Sequence, residues 1–105
     1  MADIMKIMQQ AQQMQSRLQE IQDELQQMTV SAAAGGGMVT VQADGKGQVR
    51  SVKIDPSVVN PNDVEMLEDL VLVAVAEAQK KAAALAQEEM GKLTGGLNLP
   101  FKLPF

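Results

Sequence analysis

Histidine and cysteine are both absent from this 105-residue chain, as are tryptophan and tyrosine, and only two phenylalanines occur. Without His and Cys, the common zinc sites, Cys or Ser–His nucleophile systems and imidazole acid–base chemistry are all excluded. No disulfide can form, so the fold needs no oxidising compartment. The scarcity of aromatic rings removes the stacking platforms by which most single-strand and RNA readers hold bases. No stretch approaches the roughly 18 apolar residues of a membrane-spanning helix. The start, Met1-Ala2-Asp3, lacks the basic segment and apolar run of a secretory signal. These absences predict a soluble cytoplasmic protein with no cofactor, no bound metal, no small-molecule substrate and no membrane partner. One small domain is expected at this length, and a chain this short gains core by oligomerising.

What is present begins with a heptad helix. Ile7, Ala11, Met14, Leu18, Ile21, Leu25 and Met28 recur at alternating intervals of four and three, the rhythm of a helix that buries one narrow seam against another helix. Around that seam lie Gln9, Gln10, Gln12, Gln13, Gln15, Gln19, Gln22, Gln26 and Gln27, good helix formers that add no charge. A helix from Ile4 to Met28 is roughly 40 Å long, more than a globule of this size is wide. It either projects from the body or is covered by a partner subunit.

Three short β-prone runs follow: Thr29 to Ala32, Met38 to Ala43, and Gln48 to Ile54. Gly35, Gly36 and Gly37 separate the first two, and Asp44-Gly45-Lys46-Gly47 forms a hairpin turn between the second and third. Val39, Val41 and Ala43 alternate with Met38, Thr40 and Gln42, which gives the middle strand one core face. Val49 falls out of phase with Val52 and Ile54, as a solvent-side or bulged position would. A three-stranded meander is the simplest topology. A second long helix is predicted from Asn60 as N-cap and Pro61 as first helical residue, with Asp63 and Glu65 favouring its positive end. Its apolar positions are Val64, Leu67, Leu70, Val71, Ala74, Val75, Ala78, Ala82, Leu85 and Ala86, with a broad stripe from Leu67 to Val75 expected to face both sheet and helix, and Gly91 is the expected stop. The remainder, with Gly95, Gly96, Pro100 and Pro104, reads as a frayed tail whose Leu97, Leu99, Phe101, Leu103 and Phe105 could touch a partner.

This order, and its particular wording, resembles the YbaB/EbfC family of small bacterial nucleoid-associated proteins. The resemblance rests on Gly35-Gly36-Gly37-Met38-Val39, the turn Gly45-Lys46-Gly47, the run Val52-Lys53-Ile54-Asp55-Pro56, and Asp63-Val64-Glu65-Met66-Leu67-Glu68-Asp69-Leu70. With the Met- and Gln-rich start it covers nearly the whole chain. It implies an α+β, α-β-β-β-α subunit: a three-stranded antiparallel sheet with two long helices, in a tweezers-like homodimer. Residues 1–92 would form the single domain and 93–105 a flexible tail. The function implied is low-specificity binding of double-stranded DNA through protruding helical arms, in an architectural or regulatory role at the nucleoid.

Charge tests that implication, because the chain carries −4 and a DNA binder is ordinarily basic. The deficit is local. Asp55, Asp63, Glu65, Glu68, Asp69 and Glu77 fall in a stretch without Lys or Arg, six of the 13 acids, so the rest of the chain is 9 − 7 = +2. Acids at the opening of the second helix have a structural explanation in the helix dipole. The candidate DNA-binding residues are Lys6 and Arg17 on the first helix and Lys80, Lys81 and Lys92 on the second. Antiparallel packing of the helices would bring Lys6 and Lys92 together at one end, with Lys80 and Lys81 part-way down. Lys and Gln side chains contact phosphate and sugar atoms, which position a protein without reading sequence. Charge pattern alone also allows Lys80 and Lys81 to balance Glu77 and Glu88 on a wet face. Lys46, Arg50 and Lys53 on the hairpin read as charges that guard a sheet edge.

Remaining motifs point to no chemistry. Neither glycine cluster has the Gly-Lys-Ser/Thr or strand-to-helix context of a phosphate-binding loop. Glu20 with Glu24, and Glu65 with Asp69, are i,i+4 carboxylate pairs better explained as solvated faces. Two classes of function remain: a dimeric DNA-binding protein, or a helical protein-interaction adaptor whose arms and apolar tail grip another protein. Steep loss of affinity with salt marks the first and not the second.

Overall fold

A computed structural model describes residues 2–96 of the chain, with side chains over 3–93. The elements, in chain order, are helix α1 (Ala2–Gln27), strands β1 (Thr29–Ala34), β2 (Val39–Asp44) and β3 (Val49–Ile54), a 3-10 turn (Pro56–Val58) and helix α2 (Val64–Gly96). The strands form an antiparallel sheet in the order β1-β2-β3, so the expected α+β meander is the observed one. The tail residues Leu97, Leu99, Phe101, Leu103 and Phe105 lie outside the described residues.

Alternation along the strands decides which face is covered. Ala32 and Ala34 of β1 and Val39, Val41 and Ala43 of β2 point to one side and are buried there against Ala74 and Ala78 of α2. Val39 and Val41 are fully buried, each contributing about 2 kcal/mol relative to an exposed valine. Ala74, Ala78 and Ala82, spaced by four, have no exposed surface at all, and their short side chains let α2 lie close to the sheet. The out-of-phase Val49 is explained by a bulge: Ala43 pairs with Val49 and Gln42 with Ser51, leaving Arg50 as the extra residue.

Two expectations about α2 are corrected. Its first residue is Val64, not Pro61. Asn60 to Asp63 form a turn instead, with the Asp63 N–H donating to the Asn60 carbonyl at 2.9 Å and the Asn62 N–H to the Asn60 side chain at 3.0 Å. Asp63 takes the capping role, accepting the Met66 N–H at 3.3 Å. Nor does Gly91 stop the helix, which continues to Gly96. A mid-helix glycine costs only about 1 kcal/mol. Here Met90 and Leu93, on either side of it, are held against α1, which offsets that cost.

That second contact, Ile21, Leu25 and Leu93 flanked by Leu18, Met28, Leu85, Ala86 and Met90, uses only the C-terminal half of the α1 seam. Ile7 and Ala11, its N-terminal members, are exposed and Met14 is half-buried. The result is a long molecule of 72 × 23 × 16 Å with a radius of gyration of 19.7 Å, where a compact domain of ~100 residues has about 13 Å.

Candidate nucleic-acid interface

The outer part of α1 is exposed on every side among the described residues. From Asp3 to Gln13 every side chain is exposed, and between Ile4 and Gln19 the only charged residues are Lys6 and Arg17. Eleven residues separate these two, close to three full turns, so they lie on the same helical face about 16 Å apart. Gln10 and Gln13 fall between them on that face, at intervals of four and three. Glu20 approaches Arg17 only at 3.9 Å, with both side chains well exposed, so the guanidinium stays available; such a pair is worth little. Lys6 has no ion-pair or hydrogen-bond partner among the described residues.

The cations of α2 are differently placed. Lys81 reaches across to the sheet edge, where its Nζ donates to the Ser31 carbonyl of β1 at 2.8 Å. Lys92 is paired with Glu89 at 3.1 Å. That hydrogen bond, with the charges of Glu89, Glu88 and Glu24, raises its pKa above the ordinary lysine value. Lys80, about 100° round the helix from Lys81, is exposed and has no partner among the described residues. The structure therefore does not bring Lys6 and Lys92 together. Lys92 lies where α2 packs against Leu18 to Met28, and Lys6 is twelve residues, about 18 Å, further along α1 than Leu18.

The hairpin trio also divides. Arg50, at the bulge, donates from Nη2 to Asp44 Oδ2 at 2.9 Å, while Lys46 and Lys53 are exposed. Asp44 is the one buried charged residue among those described. Burial alone would push its carboxyl up; the Gln48 and Lys46 N–H groups and the Arg50 guanidinium outweigh this and hold it below the ordinary carboxylate value. Its Oδ1 accepts from Lys46 N–H at 2.9 Å and Gln48 N–H at 3.0 Å. Sequence reasoning placed Asp44 in the turn but missed this role, since a turn aspartate normally faces water. Similarly, Asp55 accepts the Ser57 N–H at 2.9 Å as cap of the 3-10 turn, and that bond lowers its pKa. No group of three or more potential metal ligands converges among the described residues, and none of their helices is long and apolar enough to cross a membrane.

A small α+β fold with open cations on the exposed part of its first helix, and others on α2 and the hairpin, has the make-up of a binding protein. The sequence model of the YbaB/EbfC DNA-binding family matches residues 1–97, and the chain belongs to that family; it is a DNA-binding protein and not an enzyme. Among its relatives, a nucleoid-associated protein of Gemmatimonas aurantiaca is 59% identical over 103 residues, 98% of this chain and 99% of that one. A nucleoid-associated protein of Nitrobacter winogradskyi is 50% identical over 105 residues, 100% of this chain and 99% of the relative. The crystal structure of the uncharacterized protein HP0035 from Helicobacter pylori superposes with a TM-score of 0.70 over 87% of this chain and 91% of that one. At 20% identity that likeness speaks for the fold alone.

Proposed function

We propose that the protein is a nucleoid-associated protein of the cytoplasm that binds double-stranded DNA as a homodimer with low sequence specificity, through its protruding α1 arms. The observation that carries this reading is the charge of the arm. A chain of net −4 nonetheless has two cations and no acid between Ile4 and Gln19, on a helix whose outer part, from Asp3 to Gln13, is exposed throughout. Lys6, Gln10, Gln13 and Arg17 offer donors that reach phosphate and sugar, contacts that position a protein without reading sequence, and this supports low specificity. Lys80 is a secondary contact on α2. Lys81 and Lys92 contribute by exchanging their present partners for phosphate.

The homodimer is supported by an open apolar surface beside β3. Val52 and Ile54 pair with Val41 and Val39 and so point to the side α2 covers, yet they remain 44% and 38% exposed. Gln79 turns one flank of α2 toward the hairpin by donating to the Gly47 carbonyl at 3.2 Å. Leu72, one heptad earlier on that flank, is 67% exposed. A second copy covering this surface would double the arms and their charge.

Anisotropy of a labelled random-sequence duplex, titrated at several salt concentrations, tests the reading. Saturable binding that falls linearly in log–log with salt is expected, and no binding at low salt would sink it. The exposed Ile4, Met5, Ile7 and Met8 at the arm tip favour a second reading, an adaptor that grips another protein. Binding to such a partner would persist at high salt.

A further inference from the structure

The arm can work only if something fixes its direction, and α1 is anchored by few side chains. We infer that the tip of the β2–β3 hairpin is the socket that sets the direction of the α1 arm, with Gly45 as the positioning residue. This rests on the reading that the arm contacts DNA.

Four observations converge on the socket. The Gly45 N–H donates to the Leu25 carbonyl at 2.7 Å, so the hairpin caps a carbonyl in the last turn of α1, where the helix runs short of its own donors. Gly45 is buried, and a Cβ there would stand 2.7 Å from the Leu25 oxygen and 3.0 Å from its Cα. Both are backbone atoms, so neither can yield unless α1 itself moves. The turn that presents Gly45 is stiff, closed by the Asp44 N–H to the Gln48 carbonyl at 2.9 Å, the Gly47 N–H to the Asp44 carbonyl at 3.0 Å, and the Asp44 carboxylate bonds. Gln79 ties the same turn to α2 through the Gly47 carbonyl. Three elements thus meet at one point.

Lever length turns this contact into function. Lys6 is nineteen residues from Leu25, about 28 Å along the helix. A tilt of about 10° at the socket displaces the tip by roughly 5 Å, enough to move a side chain off its phosphate. Gly45 is separable from the turn it belongs to. Gly47 has the left-handed backbone, φ +88, and nothing near its missing Cβ, whereas Gly45 is not among the glycines with positive φ. An alanine at 45 therefore perturbs the contact with α1 directly, whereas an alanine at 36, also a positive-φ position with nothing near its missing Cβ, strains a turn that takes no part in the socket.

The chain has no cysteine, so Gln12→Cys on the arm and Ser51→Cys on the sheet give one nitroxide pair per chain. Its distance distribution is measured by pulsed electron resonance, with labelled chains diluted into unlabelled protein. Gly45→Ala is expected to shift or broaden the distribution by several Å and to weaken duplex affinity about tenfold at an unchanged salt slope. Gly36→Ala, in the β1–β2 turn outside the socket, leaves the distribution as in the parent. Gln79→Ala, an exposed polar change that keeps the core intact, is expected to broaden it in the same direction and carries the test if Gly45→Ala does not fold. Parent-like distributions in the variants that fold would overturn the inference, as would a shifted arm with unchanged affinity. Failure of the parent protein to bind duplex would instead sink the DNA reading, while the distance data still judge the socket.

Discussion

Arg50 and Asp44 form an ion pair of 2.9 Å in which the carboxylate is 3% exposed and the guanidinium half open to water. Arg50 is the extra residue of the bulge, and its guanidinium reaches Asp44 at the start of the same hairpin turn. With no buried side-chain nitrogen or oxygen left unpaired among the described residues, Asp44 works as a structural anion.

Its depressed pKa carries a pH dependence. A carboxylate held below its ordinary value stabilises the fold fully above that value, 3.8, and the contribution is lost as pH falls through the lower folded value. Thermal midpoints are therefore expected to be flat through neutral pH and to fall below about pH 4. In Asp44→Asn that acid-side dependence shrinks and the midpoint at pH 7 drops. If Asp44→Asn kept the parent's acid profile, other carboxylates would dominate.

Reversing Lys6 and Arg17 to Glu is expected to weaken duplex binding at least tenfold at low salt. The salt slope becomes shallower by about one for each phosphate that is no longer neutralised. Folding is untouched, since both side chains are exposed and Arg17 has only the weak Glu20 pair. Circular dichroism melts beside the anisotropy titration check both halves.

Lys80 and Lys81 are adjacent in sequence and unequal in structure. Lys80→Glu is expected to lower DNA affinity with no change in melting. Lys81→Glu also lowers the melting temperature, because the Ser31 carbonyl loses its donor and a carboxylate takes its place at the sheet edge. Equal melting of the two variants would remove Lys81 from the architecture.

Gly91→Ala is expected to stabilise the protein by about 0.5–1 kcal/mol, because the site lies inside α2 and a Cβ there meets nothing within 4 Å. Ala78→Leu acts oppositely. Its site is fully buried between α2 and the sheet, and the larger side chain is expected to cost about 1–3 kcal/mol or more by forcing the layers apart. Denaturant melts of the two variants would show opposite shifts in midpoint.

Much of the fold was legible because it follows from local pattern. The alternation of Val39, Val41 and Ala43 gave the core face, and the misphased Val49 left a solvent-side or a bulged position open, of which the bulge is the one observed. What the sequence hid were contacts between distant segments. Gly91 looks like a stop until Leu93 is seen against Ile21 and Leu25. Asp44 looks like an ordinary turn residue until the hairpin closes over it. Lys6 and Lys92 could be paired on paper because nothing in the heptad says where along α1 the second helix sits. The candidate cations were all nameable from the sequence; their division into engaged and open ones required knowing which carbonyl or carboxylate lay beside each.

The long axis of the molecule has unlike ends. Lys6 and Arg17 ride on the projecting helix, while Asp63, Glu65, Glu68 and Asp69 crowd the opposite extremity, where α2 begins beside Gly35. Such a rod is an electric dipole. Approaching a polyanion it turns cation-first, and once seated it holds its acidic end outward. Neighbours along one duplex would then face each other as like charges, so occupancy is expected to be spaced, with a Hill coefficient at or below one in dilute salt. A clustered, steeply cooperative coat would contradict this polarity.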